Sequence, residues 1–198
     1  MKFEIGDATD SALCTTLVHE LFLCRESFER FTRYAELNIM GRRDKATKIR
    51  SHDAYSSFLH HLYEFYVGCI KRNRRDTKEI DSYVLDRIFN SEAEKQLRIR
   101  VERIEQGRAP AWENHISVYR VDVSNDFGKR FRQIRNRTVH ASIDRSAPGQ
   151  ELTLGQFYKE CHKFIFLLYD SSHWLWSVED IEKNEWKAIE EFDLAVHQ

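Results

Sequence analysis

The chain has 198 residues, enough for one domain with a full core, and a formal net charge of -1 excludes a generic polyanion binder. Any nucleic-acid contact must therefore come from local basic clusters. Only two prolines and seven glycines, among many Leu, Phe, Glu, Lys and Arg, argue for long helices with few sharp turns, and so for an all-α protein.

The first predicted helix starts near Thr9-Asp10-Ser11, where capping side chains are available, and runs to about Leu37-Asn38, before Gly41. Its apolar residues Leu13, Leu17, Leu21, Cys24, Phe28 and Phe31 step by three and four, the mark of a helix that buries one stripe. A second helix is expected from Ser51-His52-Asp53 through Tyr55, Phe58, Leu62, Phe65, Tyr66 and Cys69 to the basic cluster at Lys71. Its adjacent His60 and His61 point about 100° apart and cannot chelate one metal together, so they read as solvated or partly packed rings. The third helix is expected from about Thr77 to Gln106, ended by Gly107 and Pro110. The alternating run Ile116 to Val123 reads as a loop or a lone strand, because no second such run can pair with it.

Ser124-Asn125-Asp126 offers caps for a fourth helix, and Pro148-Gly149 interrupts the chain after it. Thr153 caps a strongly apolar fifth helix closed by Trp174 and Trp176. The last segment is acidic and amphipathic, with Ile189, Phe192 and Leu194 spaced to pack on the domain or on a partner. The expected organisation is a helical domain over 1–176 with a C-terminal amphipathic extension over 177–198.

Four cysteines, Cys14, Cys24, Cys69 and Cys161, lie scattered on apolar helical stretches, which fits buried thiols in a reducing compartment and indicates no metal site. Met1–Asp7 carries acids where a signal peptide needs an apolar run, and no stretch approaches the roughly 18 apolar residues of a membrane span. A cytoplasmic protein without a membrane partner is expected. Gly-rich phosphate loops, G-x-S-x-G elbows and H-E-x-x-H are absent from the sequence.

Basic residues gather at Arg42 to Arg50, at Lys71 to Arg75, and at Lys129, Arg130, Arg132, Arg135 and Arg137. The first two clusters read as solvated helix ends. The third carries the run Arg135-Asn136-Arg137-Thr138-Val139-His140. On a helix over 127–140, Phe127, Phe131, Ile134 and Thr138 share the core face. Lys129, Arg132, Gln133, Asn136 and His140 share the opposite side, and the long stem of Arg135 can swing its guanidinium toward them. The same face also reads as a polar side simply facing water. RNA cleavage by 2′-hydroxyl attack needs a base, ideally an acid, and a cation for the charge developing on phosphorus. One helix supplies one histidine, so this chemistry predicts a homodimer that brings two copies of the face together.

The run resembles the Arg-x4–6-His signature of the HEPN superfamily, in the form where a polar residue, often Asn, directly follows the Arg. The resemblance implies a compact helical bundle, here of about five long helices plus the C-terminal one, that dimerises with its motifs facing each other. It implies a metal-independent, cofactor-free endoribonuclease of the toxin or anti-phage defence kind. Arg135 would neutralise the scissile phosphate, His140 would act as general acid or base, and Asn136 would orient one or the other. Lys129, Arg130, Arg132, Arg137 and Arg145 are candidate RNA contacts, with salt bridging to neighbouring carboxylates as their competing use. Toxins of this family often carry a tyrosine two residues after the histidine, the site of nucleotide attachment by a partner; this chain has Ser142 there. Control then falls to another antitoxin or regulatory protein, or to an RNA trigger. The other reading is a non-catalytic helical interaction or nucleotide-sensing module of the same fold.

Overall fold

The computed structural model describes residues 1–42, 44–139, 152–175 and 187–196, which form an all-α bundle. The helices are α1 (Ala8–Ile39), α2 (Lys45–Arg74), α3 (Ser82–Glu105), α4 (Phe127–Val139), α5 (Leu154–Leu175) and α6 (Lys187–Val196). Three of them start on an aspartate whose carboxylate accepts a free first-turn amide: Asp7 from Asp10, Asp44 from Thr47 and Asp81 from Tyr83.

These caps correct two boundaries. Asp44 takes both the amide of Thr47 at 2.9 Å and its hydroxyl at 2.6 Å, so α2 begins at Lys45, two turns before the expected Ser51. Conversely, α3 begins at Ser82 instead of near Thr77, because the N-terminal segment occupies the backbone that precedes it. The Thr77 amide donates to the Met1 carbonyl at 2.9 Å, the Phe3 amide donates to the Arg75 carbonyl at 3.1 Å, and Lys2 bridges Asp76. The alternating run resolves as a loop with one 3-10 turn at Ile116–Val118, anchored by buried Tyr119 and Val123.

The long hairpin of α1 and α2 buries the expected stripe, with Leu17, Leu21 and Cys24 against Phe58, Leu59 and Leu62. Phe65, Phe89, Phe127, Phe131 and Phe157 complete an aromatic interior shared by α2, α3, α4 and α5. Arg100 of α3 lies inside this bundle, 2.6 Å from Glu113 of the following loop and paired also with Asp170 of α5. All four thiols are free. Burial pushes up those of Cys69, to about 12, and Cys161, to about 11. Every residue of α6 is exposed, Ile189, Phe192 and Leu194 included, so the apolar face read from the sequence is uncovered. Among the described residues no helix is long and apolar enough to cross a membrane.

Candidate active site

α4 is a short polar helix held by one apolar edge. Phe127, Phe131 and Ile134 are fully buried, as the spacing predicts, and Phe131 meets the rings of Tyr63 at 5.3 Å and Phe89 at 5.2 Å. Against α3 the approach is closer still. A β-carbon on Gly128 would stand 2.1 Å from the carbonyl oxygen of Asp86, so only glycine lets the two backbones meet. The Gly128 amide donates to Asn90 Oδ1 at 2.7 Å, and Arg132 grips the Asp86 carboxylate with two bonds of 2.9 and 2.8 Å.

That seating turns Arg135 toward α2. One terminal nitrogen of its guanidinium donates to Asn136 Oδ1 at 2.7 Å, and the other pairs with the carboxylate of Glu64. The guanidinium carbon lies 5.3 Å from the centre of the Tyr63 ring, a cation–π arrangement. Its Nε is buried and has no hydrogen-bond partner among the described residues. Arg135 and Asn136 thus act as one unit: the amide oxygen fixes the plane of the guanidinium, as a phosphate-binding fork requires.

His60 stands one helical turn before Glu64 on α2, and its Nδ1 is likewise buried without a partner. Burial is the first cause that holds its pKa below 6.5, followed by the charge interactions with His61 and Arg135, while Glu64 and Glu20 oppose them. His61, beside it, lies 2.8 Å from Glu20 of α1. Arg135 Nε and His60 Nδ1 are the buried side-chain nitrogens without a partner among the described residues, and both belong to this cluster.

The expected basic track along α4 is largely tied down. Arg130 pairs with Glu160 of α5, Arg132 with Asp86, and Arg137 donates to the Leu152 carbonyl. Arg132 therefore does not stand on an open face with Asn136, because α3 offers it a carboxylate. Lys129 is exposed. His140 and Arg145 lie outside the described residues. The structure brings together Arg135 and Asn136 from the motif with two residues that the motif did not name, Glu64 and His60. Their shared side of α2, four residues apart, was the only signal in the sequence, and it gains meaning only once α4 is seen to cross there.

Within one chain the cluster offers a positioned guanidinium and an amide able to hold a phosphodiester, beside an imidazole able to accept the proton of a neighbouring hydroxyl. No family model matches this chain, and no curated protein or solved structure matches it.

Proposed function

We propose that the chain is a metal-independent endoribonuclease that cleaves RNA by attack of a ribose 2′-hydroxyl on the adjacent phosphorus. The observation that carries this reading is the convergence of Arg135, Asn136, Glu64 and His60 on two helices, with two buried nitrogens left unpaired. An unmet buried donor or acceptor costs about 1–3 kcal/mol, and a bound phosphodiester relieves that cost by supplying acceptor oxygens for the arginine and a hydroxyl for the imidazole. Arg135 neutralises the phosphate, Asn136 holds it in plane, and His140 serves as a proton-transfer residue, in line with the resemblance to the HEPN superfamily. A restraining partner, a toxin or defence role and the homodimer belong to the same reading.

A second reading has its own observation. Glu64 already compensates Arg135, and Arg130 and Arg132 are bound to carboxylates of neighbouring helices, as struts in a non-catalytic interaction module would be. Induced expression in a bacterial host separates the two. A nuclease arrests growth in a manner abolished by Arg135→Ala or His140→Ala, whereas a binding module leaves growth the same with all three chains.

A further inference from the structure

We infer that His60 is the general base of this site, so that the proton acceptor and the phosphate-binding arginine come from the same chain. The inference rests on the ribonuclease reading and changes one part of it: a second copy of the motif helix is not needed to supply the first proton transfer.

His60 and Glu64 are one turn apart on α2, and Glu64 is bonded to Arg135, so the imidazole and the guanidinium flank one carboxylate. His60 makes no hydrogen bond to any described side chain, unlike its neighbour His61, which is engaged by Glu20. A histidine packed for stability alone normally finds a partner for its buried nitrogen. The two orphaned nitrogens of the described residues belong to side chains that interact through charge across α2 and α4, as expected where the missing partner is a ligand with several oxygens.

The groups whose charge acts on the ring are His61 and Glu64 from α2, Arg135 from α4 and Glu20 from α1. Burial first, and then the charge interactions with His61 and Arg135, outweigh the two carboxylates and hold the ring's pKa below 6.5, so that it can accept a proton at pH 7. In the step that follows, His60 takes the proton of the ribose 2′-hydroxyl. The 2′-oxygen forms its bond to phosphorus as the bond from phosphorus to the 5′-oxygen breaks, and that oxygen leaves with a proton from His140. The products are a 2′,3′-cyclic phosphate and a 5′-hydroxyl, and His60 returns its proton to solvent.

Single-turnover cleavage of a short RNA by the full chain, from pH 5 to pH 8, tests this with His60→Gln and with His61→Gln as the neighbouring control. The expected result is a loss of about 10²–10⁴ in rate for His60→Gln. The limb of the wild-type profile that rises with pH below 6.5 disappears in that variant, whereas His61→Gln keeps it. Unchanged binding of a 2′-deoxy analogue and an unchanged circular dichroism spectrum show that His60→Gln is folded and still holds RNA. A substrate with sulfur in place of the 5′-oxygen leaves without an acid, so it does not rescue the loss of a base. Rescue of His60→Gln by that substrate, or cleavage by His60→Gln at the wild-type rate, overturns the assignment while the ribonuclease stands. A wild-type chain that cleaves nothing removes the ribonuclease reading and this inference with it.

Discussion

Gly128 is the position at which helix propensity and tertiary contact predict opposite signs. In an exposed helix, Gly→Ala stabilises by about 1 kcal/mol. Here the new β-carbon would stand 2.1 Å from the Asp86 carbonyl oxygen and 2.7 Å from its carbonyl carbon, where an ordinary carbon–oxygen contact is about 3.3 Å. The obstacle is backbone, so no side-chain rotation relieves it, and α4 must retreat from α3 by roughly 1 Å. Overpacking of this kind costs about 3 kcal/mol, leaving Gly128→Ala a net 2 kcal/mol or so less stable after the propensity gain. For a chain of this length that lowers Tm by about 4–8 °C. Gly155, in the first turn of α5, is the control, because its nearest neighbour is Thr153 Oγ1 at 3.9 Å, and Gly155→Ala should be neutral or up to about 1 kcal/mol stabilising. Urea unfolding of both variants, checked by thermal melting, measures the difference. A Gly128→Ala chain as stable as the parent would refute the close seating of α4 on α3, and with it the placement of Arg135.

Three further expectations concern ionisable side chains. His162 is stacked on Tyr158, its Nδ1 is 3.0 Å from the Tyr55 hydroxyl, and burial lowers its pKa from 6.5 to about 4. A depressed folded pKa contributes stability above pH 6.5 that is lost as pH falls toward 4; at ~1.36 kcal/mol per unit the loss reaches about 3 kcal/mol, and His162→Gln flattens that part of a urea-derived stability curve. Arg100→Met strands the Glu113 carboxylate, whose side chain is 5% exposed, and should cost about 3–5 kcal/mol, partly restored by adding Glu113→Gln; equal melting temperatures for the single and double variants would contradict this. Glu64→Gln removes the carboxylate that competes for Arg135. Because that pair is partly exposed and worth about 1 kcal/mol, it should tighten binding of a 2′-deoxy RNA analogue about fivefold by fluorescence anisotropy, and weaker binding would show that Glu64 is no competitor.

What the sequence made legible is what local physics decides. The three- and four-residue steps of Leu17, Leu21 and Cys24, and the buried edge of Phe127, Phe131 and Ile134, are properties of single helices, and the structure shows both. The start of α2 was misplaced because its capping aspartate lies beyond a run of polar residues that carries no apolar period. The start of α3 depends on a pairing with residues 1–3, about 75 positions away in the chain, which no local pattern announces. The site divides in the same way. The pairing of Arg135 with Asn136 is local and was readable, whereas Glu64 and His60 enter through the crossing of α2 and α4. Arg132 illustrates the converse: an amphipathic projection counts it as solvent-facing, yet it finds the Asp86 carboxylate on an adjacent helix that a projection of one helix cannot contain.

The measurement that bears most directly on the proposed function is incubation of the purified chain, and of Arg135→Ala and His140→Ala, with a 5′-labelled mixed RNA in excess EDTA. Light scattering first establishes that all three share one oligomeric state. The account predicts fragments ending in 2′,3′-cyclic phosphate from the parent chain, and a loss of at least ~10²-fold in rate from each variant. Intact RNA in every reaction, or cleavage that survives both substitutions, would contradict it.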